Sequence, residues 1–177
     1  ERGRGTGSGP FGEFTVRGQR TSGPGEEVAI SLDIAASEFG EGGQYRLGLE
    51  GRQLDSDGLA EMLLGWLDRY PIVSIEDPLA EDDEAGLIAF TAAAGDRVQI
   101  IGDDYLVTNA DRVRHAADVR ACNAVLVKPN QAGTLSETRA AFEASREAGW
   151  GAVVSARSGE TEDVTIVHLA VGWGAYQ

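Results

Sequence analysis

Along residues 28–177, short apolar runs alternate with longer stretches in which apolar residues recur every three or four positions. The runs read as strands and the stretches as amphipathic helices, and their alternation predicts βα units on a parallel sheet. Five strand candidates stand out: VAISLDIA (28–35), IVSIEDP (72–78), VQIIGDD (98–104), AVLVKPN (124–130) and AVVSARS (152–158). All are apolar on both faces, as expected of strands buried from either side. Leu59, Met62, Leu63, Trp66, Leu67 and Tyr70 fall at helical spacing behind Ser56, the expected N-cap. Thr134 and Glu137 have the spacing of a capping box, opening a helix that runs towards Ala148 and stops at Gly149. GEGGQYRLG (40–48) predicts a turn and a short extra hairpin. Residues 1–27 show neither apolar period; rich in Gly, Ser and Arg, they are expected to be a flexible lead-in, leaving 28–177 as the folded domain.

Consecutive βα units suit a (β/α)8 barrel or an open doubly wound sheet. The open sheet would carry a Gly-rich phosphate loop after its first strand, and neither GxGxxG nor GxxxxGK[ST] occurs at the end of any of the five candidate strands. An α/β barrel is therefore the expected class. It gives meaning to the residues that finish each strand: Asp33, Glu76 with Asp77, Asp103 with Asp104, Lys128, and Arg157 with Ser158. In a barrel the C-terminal strand ends share one mouth, so residues distant in sequence become neighbours. Carboxylates crowded there repel unless a cation neutralises them, and Asp33, Glu76 and Asp103 as oxygen ligands suit Mg²⁺. For Asp77 and Asp104 the competing reading is a cap for the following helix. Lys128 follows the apolar run AVLV, where an ammonium is costly unless a carboxylate or an anionic ligand receives it; a buried salt bridge is the competing reading. His115 and His168, the tryptophans Trp66, Trp150 and Trp173, and the acidic run EDDE (81–84) are expected to be structural.

Composition narrows the partners. The chain has 177 residues, 42% of them hydrophobic, enough for a sizeable core. Its net charge of −14 repels nucleic acid and anionic membrane surfaces. A single cysteine, Cys122, allows no internal disulfide framework and fits the cytoplasm. No apolar run approaches the roughly 20 residues of a membrane span, and no apolar signal core opens the chain.

Five segments carry a resemblance to a known family. LDIAASEF (32–39), SIEDPLAEDD (74–83), GDDYLVTN (102–109), KPNQAGTLSET (128–138) and SARSGETED (155–163) resemble, in order and spacing, the enolase signatures LDxAxSEF, SIEDPxxEDD, GDDLxVTN, KxNQIGTLTE and SHRSGETED. The resemblance runs from about Val28 to the end. It implies a partial (β/α)8 TIM-type barrel of the enolase superfamily, glycolytic Mg²⁺-dependent dehydration of 2-phosphoglycerate to phosphoenolpyruvate, and a homodimer for the full-length parent. By position it makes Asp33, Glu76 and Asp103 the Mg²⁺ ligands and Lys128 the general base. Arg157 and Ser158 become groups that hold the substrate phosphate or surround a second metal. A lysine serves as a neutral base only when its pKa is lowered, for which nearby Mg²⁺ and burial are adequate causes. Two departures stand out: Ala156 stands where SHRSGE has its histidine, and Pro129 stands beside the base where the family has KVNQ. They motivate one alternative, an enolase homologue acting on a phosphonate analogue, of the carboxyphosphonoenolpyruvate synthase kind; a non-catalytic enolase-like binding protein is a further alternative, against which the intact Asp33, Glu76, Asp103 and Lys128 argue. The DEGG segment with its general-acid glutamate and a later substrate-binding lysine have no counterpart here. The chain is therefore expected to be an incomplete copy, weakly active or inactive alone.

Overall fold

Each of the five apolar runs becomes a strand followed by a helix, in the order predicted. The computed structural model describes residues 2–9, 12–19, 29–157, 161–175 and 177. Two units divide the chain, residues 1–100 and 101–177. In the first, β1 (Arg2–Gly9) and β2 (Gly12–Gln19) pair antiparallel, and β2 pairs antiparallel with β3 (Ala29–Asp33). After a 3-10 turn at Ala36–Glu38, β4 (Gly40–Glu41), β5 (Gln44–Leu47) and β6 (Arg52–Asp55) make a separate antiparallel sheet. Then come α1 (Ser56–Leu67), β7 (Ile72–Glu76), which is parallel to β3, and α2 (Glu84–Ala94). β8 (Gln99–Gly102) runs across the boundary. The second unit continues with α3 (Ala110–Val119), β9 (Ala124–Val127), α4 (Pro129–Ala132), α5 (Leu135–Glu147), β10 (Gly151–Val154) and α6 (Thr165–Trp173). There β9 is parallel to both β8 and β10.

The structure departs from the pattern in instructive places. Residues 1–27, expected as a lead-in without regular structure, contain β1 and β2. The side of β3 away from β7 offers a row of backbone donors and acceptors, and β2 takes them up with Val16 in register with Leu32 and Gln19 with Ala29. The Gly-, Ser- and Arg-rich sequence of these two strands leaves no apolar period to read. Asp55 rather than Ser56 caps α1: it ends β6 in extended conformation, as a cap requires, and accepts the Gly58 N–H at 2.9 Å. The N-caps of the following helices are not Asp77 and Asp104 but Asp83, which precedes α2 and accepts the Gly86 N–H, and Asn109, which precedes α3 and accepts those of Asp111 and Arg112. The Thr134 cap of α5 stands as predicted, accepting the Glu137 N–H at 3.2 Å, and Gly149 follows the helix at φ +73°.

Burial is uneven along the strands. β9 is buried at all four positions, with α5 packed on it and on β10. Full burial of a Val or Leu contributes about 1.5–3 kcal/mol, so Val125, Leu126 and Val127 anchor this unit. The expectation of two covered faces fails for β3, half-buried through Ala29–Leu32, because α1 lies against α2 and the small sheet instead. The first unit has a polar centre. Tyr45, fully buried, donates to Asp83 Oδ2 at 2.7 Å and accepts the Ala80 N–H at 3.0 Å, while the Ser56 hydroxyl donates to the same carboxylate oxygen at 2.5 Å. Asp83 thus ties β5, α1 and α2 together, the role that the acidic run at 81–84 performs. Gly40 is required there, since a Cβ would lie 2.3 Å from the Tyr45 ring.

Candidate active site

A parallel strand pair in register sends directly opposite side chains to the same face, so strand-end residues that are register partners become neighbours. Asp33 and Glu76, the last residues of β3 and β7, are such partners. The chain holds this register beyond the strands: the Ile34 N–H donates to the Glu76 carbonyl at 3.0 Å and the Ala36 N–H to the Asp77 carbonyl at 3.2 Å. Both flanking residues pay for the turn in backbone strain, Ala35 at φ +49° and Asp77 at φ +42°. Asp33 is exposed, Glu76 half-buried and Asp77 buried.

In the second unit Asp103 follows β8 and Lys128 follows β9, and the structure brings them together. The Lys128 ammonium is ion-paired with Asp103 Oδ2, and the Gln131 amide donates to Asp103 Oδ1 at 2.9 Å. These side chains are largely shielded, 13% exposed for Lys128 and 9% for Asp103, so the pair is held in a setting where charges interact strongly. Asp104 brings a carboxylate oxygen within 4.8 Å of one on Asp103. Oxygen donors this close fit a hard cation, and the ammonium already held at Asp103 marks that carboxylate as a cation-binding group. Thr108 completes the surroundings: its Oγ1 accepts the Lys128 N–H at 2.9 Å and donates to Gln131 Oε1 at 2.6 Å. Arg157 lies exposed beyond the C-terminal end of β10, and Ser158 falls outside the described residues.

Strand-end carboxylates, an ion-paired lysine and the five motifs on which they sit can be compared with known proteins. The family described as "Enolase, C-terminal TIM barrel domain" matches residues 14–177. The chain belongs to the enolase family. It is 48% identical over 151 residues to "Enolase 2" of Pseudomonas syringae pv. syringae (strain B728a), an overlap of 85% of this chain and 35% of that protein. It is 50% identical over 155 residues to "Enolase 1" of Methylococcus capsulatus, covering 87% and 37% respectively. "Enolase 1" of Desulfitobacterium hafniense (strain Y51) is 48% identical over 156 residues, covering 87% and 36%. The chain thus spans about a third of the length of these relatives, and its five βα units are part of the enolase family's (β/α)8 TIM barrel. The match begins inside β2, so the second strand of the expected lead-in lies within the family domain. Among the described residues no helix is long and apolar enough to cross a membrane.

Within the enolase motifs, sequence reasoning passed over Thr108 and Gln131. One available signal was that Lys128 is the only lysine, every other one of the fifteen Lys and Arg residues being an arginine. A cation of singular type invites a search of its own motif, where Gln131 lies three residues on, across the single turn of α4.

Proposed function

We propose that the chain forms part of the active site of an enolase that dehydrates 2-phosphoglycerate to phosphoenolpyruvate in a Mg²⁺-dependent reaction of glycolysis. The observation that carries this reading is the single lysine, Lys128, shielded and paired with Asp103 at the ends of adjoining parallel strands. Asp33, Glu76 and Asp103 are the residues that would hold Mg²⁺. When bound, the ion would neutralise the negative charge that develops on the substrate carboxylate. Lys128 Nζ takes the proton from the carbon that bears the phosphate, leaving an electron pair that delocalises into the carboxylate. That pair then forms the double bond as the 3-hydroxyl departs as water with a proton supplied by an acid. Arg157 and Ser158 are assigned to the substrate phosphate, for which a guanidinium fork is suited. The same reading places the complete protein in the cytoplasm as a homodimer.

The test is Lys128→Ala in the complete protein, with the substrate α-proton followed by NMR in deuterium oxide. Exchange should fall by at least about 10²-fold while Mg²⁺ binding, measured by calorimetry without substrate, is largely kept. Exchange at the wild-type rate would remove Lys128 from the role of base.

A further inference from the structure

We infer that Thr108 and Gln131 are positioning residues that lock the Lys128 backbone and the Asp103 carboxylate to one another, fixing where the lysine amine stands. The inference rests on reading Lys128 as the base, and goes beyond it by assigning roles to two residues that touch neither substrate nor metal in that reading.

The hydrogen bonds form a closed circuit with one consistent direction. Thr108 Oγ1 accepts the Lys128 N–H at 2.9 Å, so its single proton is left to donate, and of its two acceptors Gln131 Oε1 at 2.6 Å is far nearer than the Leu126 carbonyl at 3.4 Å. That contact fixes which end of the Gln131 amide is oxygen, and its NH₂ therefore points at Asp103 Oδ1, 2.9 Å away. The remaining oxygen, Oδ2, meets the Lys128 ammonium and closes the ring. Asp103 is thereby turned so that one oxygen is held by an amide and the other faces the cation. A Thr lacking its hydroxyl, or a Gln lacking its amide, breaks the circuit at a different link.

The backbone shows what this arrangement costs. Val107 at φ +44° and Thr108 at φ +52° are consecutive β-branched residues in the left-handed region, where such side chains are strongly disfavoured. The strain is held by the surrounding bonds: the Val107 N–H donates to the Asp103 carbonyl at 2.7 Å, and Arg112 donates to the Tyr105 carbonyl at 3.1 Å. An Asn or Gly would take this conformation with less strain. The position instead carries a threonine, 2% exposed, whose hydroxyl arrives where both Lys128 and Gln131 can use it. Strain retained at such a point indicates positioning.

The experiment compares Thr108→Val, Thr108→Ser and Gln131→Met in the complete protein. The first readout needs no turnover: the acetylation rate of the Lys128 amine by acetic anhydride in metal-free protein at fixed pH, read by mass spectrometry of the peptide that contains it. Loss of one link should raise that rate about 3- to 10-fold in Thr108→Val and Gln131→Met, and Thr108→Ser should stay near wild type. The second readout is steady-state kinetics with 2-phosphoglycerate, where kcat should fall by up to about 10²-fold with KM little changed and Thr108→Ser restoring kcat. Unchanged amine reactivity and kcat in Gln131→Met, whose side chain is only half-buried, overturn the inference, as does a Thr108→Ser as slow as Thr108→Val. Absence of 2-phosphoglycerate turnover in the wild type would sink the proposed function alone, leaving the acetylation rates to decide the positioning role.

Discussion

Replacing Tyr45 with Phe removes one oxygen from the polar centre of the first unit and leaves the ring in place. That oxygen donates to Asp83 Oδ2 at 2.7 Å and accepts from the Ala80 N–H at 3.0 Å, both in a buried setting. A hydrogen bond to a charged acceptor contributes about 1.5–3 kcal/mol, and a buried donor left unpaired costs about 1–3 kcal/mol. The losses overlap, since Ser56 keeps its own bond to Asp83 Oδ2 and Asp83 Oδ1 keeps the Gly86 N–H, so the net destabilisation should be about 2–4 kcal/mol. The measurement is urea unfolding followed by Trp66 fluorescence with Trp150 and Trp173 replaced by Phe, so that the signal reports this unit. The midpoint should move with little change in slope. Alkaline pH supplies a second check. Burial is the main cause that raises the Tyr45 phenol above its ordinary 10.0, with Asp83 adding to it and the Ala80 N–H opposing it. The folded state therefore holds a proton that the unfolded chain releases, so this stability is fully present below pH 10.0 and declines as pH rises above it. Tyr45→Phe should lack that decline. A loss under about 0.5 kcal/mol with an unaltered alkaline profile would refute the view that Asp83 holds β5, α1 and α2 through this hydroxyl.

Gly102→Ala should destabilise the second unit by about 1–3 kcal/mol in thermal melts, because the new Cβ would lie 2.7 Å from the fully buried Leu106 side chain and 3.1 Å from Cys122 Sγ. Glu76→Gln should weaken Mg²⁺ binding by roughly tenfold or more in calorimetry of the complete protein, since it removes a formal charge from a hard-cation ligand while nearly keeping its shape; unchanged affinity would take Glu76 out of the ligand set.

The fold was legible because all five strands carry short apolar runs, and in β9, buried at every position, Val125–Val127 could hardly be anything else. β1 and β2 were illegible for the converse reason: β1 pairs with β2 and β2 with β3, but their Gly-, Ser- and Arg-rich sequence advertises no apolar period. Near β9 and β8, Lys128 and Asp103 were legible because a charge that follows an apolar run and is shielded demands a partner, and the structure pairs them, whereas Asp33 and Glu76 were read only from their place at strand ends. Thr108 and Gln131 were not legible, being uncharged and common in loops and helix starts. Their meaning depends on Val107 and Thr108 adopting left-handed backbone, which sequence disfavours. Ser56 was misplaced by one residue for a local reason: Asp55 and Ser56 are both good caps, and only the extended conformation at the end of β6 chooses between them.

The two departures from the enolase signatures separate once the backbone is considered. Pro129 occupies the first position of α4, where an N–H would have no helical partner and a fixed φ is already helical. Lys128 before it is extended, at φ −119° and ψ 107°, which is what a residue preceding proline prefers. Its own N–H remains bonded to Thr108. Pro129 therefore stiffens the link between Lys128 and Gln131 without touching the chemistry, and gives no support to a changed substrate. Ala156 is different in kind: a methyl group between Ser155 and Arg157 can neither donate a hydrogen bond nor carry charge. Whatever substrate oxygen a histidine would meet there has lost a partner worth about 1.5–3 kcal/mol, or roughly 10- to 100-fold in kcat/KM. If 2-phosphoglycerate is the substrate, Ala156→His in the complete protein should raise kcat/KM within that range. If the pocket has instead been refitted to a phosphonate analogue, the imidazole will obstruct it. A fall in kcat/KM for 2-phosphoglycerate, with the unmodified protein turning over the phosphonate faster, would transfer the proposed activity to that substrate while leaving Lys128 as the base.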